Sequence, residues 1–204
     1  MNLAIVRYNA GNIQSLLFAL DRLGIQPVIS DDPDVLHSAD KVIFPGVGEA
    51  RSAMTYLRER GLDKVITSLK QPVFGICVGM QLLCAHSEEN DTTCMGVFDA
   101  TIRRFAPKPE ERQRFKVPQI GWNTLVTNTL STTPHPLFAN LPQEFYVYYV
   151  HSYAAELVPE TIATTDYVQP FSGGLHKGNF YAVQFHPEKS GEAGSQILKN
   201  FLAL

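Results

Sequence analysis

The 204-residue sequence has no long hydrophobic run and little excess of either charge. Its 17 Lys and Arg residues against 20 Asp and Glu residues give a formal net charge of −3. This balance provides no electrostatic reason to expect a nucleic-acid or anionic-membrane partner. Apolar runs such as residues 4–6 and 82–85 are far shorter than the roughly 20 residues that span a membrane. We therefore expect neither nucleic acid nor membrane as a partner.

Cysteine is scarce as well. Cys77, Cys84 and Cys94 are an odd number and form no C-x-x-C pair, which argues against a disulfide framework or a zinc finger. The first residues lack the basic start of a signal peptide. A composition of 45% hydrophobic and 18% charged residues is typical of a compact globular protein. We expect one domain over residues 1–204, in the reducing environment of the cytoplasm.

Strand and helix patterns alternate through the first half of the chain. Short apolar runs are followed by helical stripes, and Asn12 stands at the N-cap position of the first helix. This alternation implies parallel strands joined by helices on both faces of a sheet. The predicted strands are residues 3–6, 27–29, 41–44 and 73–76, and the predicted helices are residues 13–23, 50–60 and 80–85.

The second half of the chain lacks this regular alternation of strand and helix patterns. Residues 101–118 are charged and contain proline, which predicts a small surface excursion with short antiparallel strands. Residues 145–150 and 180–185 predict two further strands, and residues 192–202 predict a closing helix. The expected fold is therefore α/β: an open, mostly parallel sheet with helices on both faces and a small antiparallel excursion.

A nucleophile motif follows the fourth predicted strand. Gly75-Ile76-Cys77-Val78-Gly79 matches the nucleophile elbow, a sharp strand-to-helix turn, with cysteine at the nucleophile position. Such a turn strains the backbone, so the residues two before and two after the nucleophile must be small. The helix N-terminus places positive potential beside Cys77 and favours the reactive thiolate. The alternative is an ordinary buried cysteine, and for Cys84 and Cys94 we expect only core packing and an inert loop position, respectively.

A candidate base lies far downstream, in His186-Pro187-Glu188. The residue before a proline is extended, and residues i and i+2 of an extended segment project to the same side. The Glu188 carboxylate can therefore hold one tautomer of the His186 ring while the other ring nitrogen faces a thiol. A strand-end histidine beside an unrelated surface glutamate is the alternative.

Acyl chemistry also needs donors for an oxyanion. The N–H of Val78, directly after the nucleophile, is one candidate. Pro45-Gly46-Val47-Gly48 follows the third predicted strand and should lie at the same edge of the sheet. The two glycines around Val47 let a peptide plane rotate at low cost, although a simple strand-end turn is the alternative.

Together these residues resemble the class I (triad-type) glutamine amidotransferases, which have a flavodoxin-like sheet. Within that family, three further stretches are similar to the branch formed by the glutaminase subunits of imidazole glycerol phosphate synthase. The resemblance covers nearly the whole chain. The matching stretches are residues 8–12, 45–48 and 118–123, and residues 150–153 and 186–190 fit as well.

The resemblance implies a role for each matching residue. Cys77 would be the nucleophile that attacks L-glutamine, His186 the general acid/base and Glu188 the carboxylate that orients it. The implied oxyanion residues are Val78, Val47 and Gly48, and the implied substrate-binding residues are Gln81, Glu89, Ser152 and Tyr153. The implied partner is a (β/α)₈-barrel synthase in a heterodimer that makes imidazole glycerol phosphate, facing Pro118, Gln119, Trp122, Asn123 and Tyr148, and no metal or cofactor is needed.

Two residues depart from the family pattern, and several other functions stay open. Arg7 replaces a common acidic residue and should affect local pairing only, whereas Gln119 stands where histidine is frequent. The same motifs would suit the glutaminase of another synthase, for pyridoxal phosphate, anthranilate or purines. A cysteine peptidase or thioesterase and a non-catalytic binding module are further alternatives. Trp122 and Tyr148 could also be core residues.

Overall fold

The computed structural model describes residues 1–9, 13–127 and 135–204. The Asn12 N-cap, and residues 10–12 of the stretch that matches the family, lie outside the described residues. The first helix begins at Gln14, after Ile13 at the N-cap position, where no side chain caps it.

The described residues form one sheet of nine strands, in the order β2-β1-β3-β4-β13-β12-β11-β8-β9. The five strands from β2 to β13 pair in parallel, and the pairs from β13 to β9 are antiparallel. The strands are β1 (Leu3–Val6), β2 (Val28–Ser30), β3 (Lys41–Phe44), β4 (Val73–Ile76), β8 (Gln119–Thr127), β9 (Glu144–His151), β11 (Thr161–Tyr167), β12 (Gln169–Lys177) and β13 (Phe180–Val183).

Helices cover both faces of the parallel half. Right-handed crossovers on either side of β1 put α1 on one face and α2 to α4 on the other. Consistent with this, α1 and α6 both contact the short 3₁₀ helix Pro187–Lys189, whereas α2 contacts α4, α4 contacts α3, and α3 contacts α5. The helices are α1 (Gln14–Asp21), α2 (Pro33–Ser38), α3 (Ala50–Glu59), α4 (Leu62–Ser68), α5 (Val78–Leu83) and α6 (Gly191–Ala203).

A second, four-stranded sheet of described residues has the order β10-β7-β5-β6. The prediction of a helix over 80–85 is wrong beyond Leu83, because Cys84 adopts extended backbone and begins a strand. A short, fully buried apolar run suits a helix and a strand equally well. The strands are β5 (Cys84–Ser87), β6 (Thr92–Thr93), β7 (Phe98–Arg104) and β10 (Tyr153–Ala155).

The α/β prediction is confirmed, but the antiparallel part is far larger than a small excursion. It includes β8, β11 and β12, which the sequence did not indicate. Two of these strands are rich in threonine and glycine rather than large apolar residues. Gly173 is closely packed: a Cβ there would lie 2.4 Å from Leu125 Cδ1, so a larger residue would require the Leu125 side chain to move. The carboxyl ends of β3, β4 and β13 meet at one edge of the sheet, where open α/β sites form.

Candidate active site

Cys77 lies in a strained turn between β4 and α5. Its backbone has φ 53° and ψ −109°, a left-handed φ that only a special environment imposes on a non-glycine residue. A Cβ on Gly79 would lie 1.9 Å from the Phe44 carbonyl oxygen, and one on Gly75 would lie 3.1 Å from Met80 N. The structure therefore gives the two glycines of the elbow the steric role that the sequence suggested.

His186 and Glu188 form the expected pair after β13. Glu188 Oε1 accepts a hydrogen bond from His186 Nδ1 at 2.8 Å, so the other ring nitrogen is free to face the pocket. Two hydrogen bonds, one from its N–H and one to its carbonyl, hold the His186 backbone in place. Its N–H donates to the Tyr148 carbonyl at 2.9 Å, and its carbonyl accepts from the Ser190 hydroxyl at 2.7 Å.

Electrostatics favour a protonated imidazole at His186. Burial opposes the charge, but the neighbouring Cys77 sulfur and the Glu188 carboxylate outweigh it and raise the pKa of His186 to about 10. This is the direction expected when an imidazolium sits between a thiolate and a carboxylate. The second Glu188 oxygen is buried and has no hydrogen-bond partner among the described residues.

A pocket of about 300 Å³ opens over Cys77 and His186. It brings together the sulfur, the imidazole and all the residues that the sequence nominated for the oxyanion and for substrate. Glu188 does not line it, because it lies behind the histidine ring. The lining residues are Val47, Gly48, Cys77, Val78, Gln81, Glu89, Pro118, Val150, His151, Ser152, Tyr153, His186 and Lys189.

Two of the nominated substrate residues already have partners. Gln81 is buried, and its amide nitrogen donates to the Tyr153 carbonyl at 2.9 Å. Glu89 accepts a hydrogen bond from the Ala50 N–H at 2.8 Å, at the start of α3. Burial raises the pKa of Glu89, and that hydrogen bond partly offsets the rise. Glu89 thus lines the pocket while its carboxylate is held by the first turn of α3.

The nominated oxyanion donors are not all free. The Val78 N–H donates to the Gly46 carbonyl at 3.3 Å, which occupies the donor expected to face the substrate. Gly48 has φ 116°, a conformation that favours glycine. The segment 45–48 therefore lies beside the sulfur with one carbonyl turned toward the oxyanion position.

The predicted partner-facing residues divide between the two sides of the β8–β9 pair. Trp122 is 56% exposed, and its ring lies 5.9 Å from that of half-buried Tyr148, the residue opposite it in register. Gln119 was wrongly expected to face a partner, since strand alternation turns its side chain inward against His151. Asn123 is half-buried, and its amide nitrogen donates to the Asp166 carbonyl of the neighbouring strand β11 at 3.0 Å.

The exposed side of this pair carries more apolar surface than the sequence suggested. Ile120 is 64% exposed and Tyr146 is 65% exposed, on the same side as Trp122 and Tyr148. Period-two alternation from Trp122 would have identified Ile120, and from Tyr148 it would have identified Tyr146. Pro118 is exposed at the rim of the pocket. Arg7 pairs locally with Asp31, as expected.

Sequence reasoning missed three residues near the sulfur. His151 and Lys189 line the pocket, and Gln184 places its amide nitrogen 3.6 Å from Cys77 Sγ. Gln184 precedes His186 by two positions, so the alternation that aligned His186 with Glu188 could have identified it.

Known proteins share this fold and much of this sequence. The family model for glutamine amidotransferase class-I matches residues 8–204, and the chain belongs to that family. Among its relatives, "Imidazole glycerol phosphate synthase subunit HisH" of Bacteroides fragilis (strain YCH46) is 53% identical over 204 residues, covering 100% of both chains. The protein of the same description from Yersinia pseudotuberculosis serotype I is 44% identical over 205 residues, again with 100% of both covered.

Solved structures show the same fold. A putative GMP synthase component from Thermoplasma acidophilum aligns with a TM-score of 0.74 at 22% identity, over 100% of this chain and 93% of that one. A glutamine amidotransferase from Thermotoga maritima aligns with a TM-score of 0.63 at 16% identity, over 100% and 83%.

Two features are absent from the part of the chain that the structure describes. None of its helices is long and apolar enough to cross a membrane. It also contains no group of three or more His, Cys, Asp or Glu residues placed to hold a metal ion.

Proposed function

We propose that this chain is the glutaminase subunit of an imidazole glycerol phosphate synthase, and that it hydrolyses L-glutamine to L-glutamate and ammonia. The observation that carries the proposal is a single pocket in which a strained cysteine meets a histidine backed by a buried carboxylate. Its full-length identity to relatives of that description supports the branch. We treat residues 1–204 as one domain of this type, acting in the cytoplasm with three free thiols.

The proposed reaction has two halves. The Cys77 thiolate attacks the side-chain amide carbon of glutamine, and a tetrahedral oxyanion forms. His186 gives its proton to the nitrogen, the C–N bond breaks, and ammonia leaves a thioester on Cys77. His186 then takes a proton from water, whose oxygen attacks the thioester. The C–S bond breaks, releasing glutamate and the thiolate. Glu188 keeps the imidazole oriented throughout.

The remaining pocket residues suit the amino-acid end of glutamine. We propose that the Glu89 carboxylate receives the α-ammonium group and that Gln81 helps to hold the substrate. Gly48, Ser152 and Tyr153 then contact the main-chain end from the other walls of the pocket. A pocket of about 300 Å³ accommodates a molecule of this size.

The state of the 45–48 segment suggests regulation of the reaction. The Gly46 carbonyl occupies the Val78 N–H at 3.3 Å, so the oxyanion site is incomplete. We propose that a rotation of the Val47–Gly48 peptide, accompanied by release of Val78, completes it when the partner is bound and occupied. One missing oxyanion donor costs roughly 10²–10³-fold in rate, so the isolated chain should be a poor glutaminase.

The proposed partner is a (β/α)₈-barrel synthase that forms a heterodimer with this chain. Ammonia released into water would be protonated and unreactive, so it must pass directly to the second site. The synthase would combine it with a phosphoribulosyl formimino intermediate to give imidazole glycerol phosphate and an aminoimidazole carboxamide nucleotide, in L-histidine biosynthesis. We assign docking to the exposed side of the β8–β9 pair, with Pro118, Trp122 and Tyr148. The Tyr148 backbone is bonded to both His186 and Ser190, which links this side to the site.

Pairing experiments test the branch. The chain is mixed in turn with the histidine-pathway synthase and with the synthases of anthranilate, pyridoxal phosphate and purine biosynthesis. Glutamate release and product formation are then measured with each synthase's own substrate. We expect glutamine-dependent product only with the histidine-pathway synthase. Activity with another synthase instead would overturn the assignment, and peptide cleavage without glutamine turnover would overturn the glutaminase itself.

A further inference from the structure

Gln184 places a buried amide directly against the nucleophile. Its Nε2 atom lies 3.6 Å from Cys77 Sγ, and its Oε1 accepts a hydrogen bond from Gln81 Nε2 at 3.0 Å. The Gln184 side chain has no exposed surface, so water cannot replace either contact. The amide therefore joins the proposed nucleophile to a proposed substrate-binding residue.

The orientation of both amides follows from one backbone carbonyl. The Tyr153 carbonyl can only accept, so the Gln81 amide nitrogen must face it, as it does at 2.9 Å. The second N–H of Gln81 then requires an oxygen, which fixes the oxygen of Gln184 on that side. The nitrogen of Gln184 is consequently left facing Cys77. The sulfur thus meets an N–H donor, and the reverse orientation would place two donors or two acceptors against each other.

The same carbonyl extends the network to β8. His151 Nδ1 lies 2.7 Å from the Tyr153 carbonyl, so this nitrogen carries a proton and donates it. His151 Nε2 lies 3.0 Å from Gln119 Oε1, and because a neutral ring protonated on Nδ1 can only accept at Nε2, the Gln119 amide must turn its nitrogen toward the ring. Burial lowers the pKa of His151 to about 4, so the ring is neutral and adds no positive charge near the sulfur. Gln119 follows Pro118, so the buried network begins beside the proposed docking surface.

We propose that Gln184 stabilises the thiolate of Cys77, and that the network from Gln119 through His151, Tyr153 and Gln81 holds its amide in the donating orientation. A donor aimed at a buried anion favours the charged form. This inference rests on the proposed function only in taking Cys77 as the nucleophile. It assigns to Gln184 a role that no family motif in the sequence suggested.

Other groups near the sulfur must be kept constant in a test. His186 with Glu188 supplies the main charge, and Glu89 and Lys189 line the same pocket. Tyr8, across the 45–48 segment, donates its hydroxyl to the Pro45 carbonyl at 2.6 Å. Gln184→Met keeps all of these residues and removes the amide at nearly constant side-chain volume; it also removes the acceptor of one Gln81 N–H.

The test measures alkylation of Cys77 by iodoacetamide between pH 5 and 10, a reaction that requires neither glutamine nor a partner. Because a hydrogen bond to a charged group is lost, we expect the pH of half-maximal alkylation to rise by about 1–2 units in Gln184→Met. Below that midpoint the rate should fall about 10–100-fold. Gln184→Asn, which retracts the amide by one methylene, should shift the profile in the same direction and provides the test if the first variant does not fold.

Asn200→Leu is the matched control. Asn200 is also a buried amide, and it donates to the carbonyls of Leu137 and Ala139 at 3.0 and 2.8 Å, without contacting the pocket. Its loss should lower thermal stability and leave the alkylation profile unchanged. An unshifted profile in a folded Gln184 variant, or an equal shift in Asn200→Leu, overturns the inference. If the profile shifts but the wild-type complex hydrolyses no glutamine, the proposed function falls while the thiolate contact stands.

Discussion

Glu188→Gln tests the electrostatic core of the site, because it removes one charge and almost no volume. Glu188 Oε1 lies 2.8 Å from His186 Nδ1, and the pair is largely buried. An opposite charge at this distance moves a pKa by about 1–3 units, so the variant should lower the pKa of His186 from about 10 by that amount. The imidazolium that protonates the departing ammonia then becomes scarcer.

The assay is glutamate release by the complex with its synthase, measured from pH 6 to pH 11. We expect kcat to fall by about 10²–10⁴-fold, by analogy with loss of the orienting carboxylate in a serine-protease triad. The alkaline limb should move to lower pH by about 1–3 units. Glu192→Gln, an exposed carboxylate at the start of α6, should change neither quantity. A Glu188→Gln enzyme with near wild-type kcat and an unmoved limb would refute the reasoning.

Glu188→Gln should also change how the free energy of unfolding depends on pH. Because the folded-state pKa of His186 is raised, its charge stabilises the fold fully below the unfolded pKa of about 6.5. That contribution is lost as the pH rises through about 10. The difference in free energy of unfolding between wild type and Glu188→Gln, measured in urea, should therefore be larger at pH 6 than at pH 10. A difference that grows with pH would contradict this sign.

Three further substitutions test the turn, the docking surface and the oxyanion segment. Gly79→Ala puts a Cβ 1.9 Å from a backbone carbonyl oxygen and should lower the free energy of unfolding in urea by about 3 kcal/mol. Gly24→Ala, whose Cβ enters open space, should lower it by about 1 kcal/mol. Equal losses would contradict the packing argument. Trp122→Ala should weaken synthase binding at least about 30-fold in calorimetry. Phe18 is equally exposed, and Phe18→Ala should leave the affinity unchanged. Unchanged affinity for Trp122→Ala would remove this surface from the interface. Gly48→Ala strains the resting segment, in which Gly48 has φ 116°, by about 1–3 kcal/mol and should therefore raise glutamate release by the isolated chain about 10-fold in steady-state kinetics; an unchanged rate would exclude the peptide rotation.

The parallel half of the sheet was predictable because its strands are apolar and buried. The burial of β1, β3 and β4 at every position produces the continuous runs typical of strands covered on both faces. The antiparallel half was not predictable by the same signal. Strand β12 contains Gly173 and Gly174, which have low strand propensity and pack closely against their neighbours, so its composition resembles that of a loop.

The site was largely predictable for a different reason. Cys77 and His186 each sit in a local motif whose backbone geometry depends on neighbouring residues, and topology brings the ends of β4 and β13 side by side. The residues that contact the site from behind, Gln119 and Gln184, could not be predicted from local motifs. The orientation of Gln119 depends on its register with His151 across two strands, of which only one was predicted. Alternation from His186 points Gln184 to the same side of the chain, but only the structure shows its amide nitrogen 3.6 Å from the sulfur.

The central claim is that Cys77 is the nucleophile of a glutamine site. The most direct test labels the intact chain with an electrophilic glutamine analogue that carries a diazoketone in place of the amide. Peptide mass spectrometry should find one adduct per chain, on Cys77, and glutamine should protect against it. Glu188→Gln should slow the labelling, and Glu192→Gln should not. Modification of Cys84 or Cys94 in place of Cys77, or labelling that glutamine leaves untouched, would contradict the account.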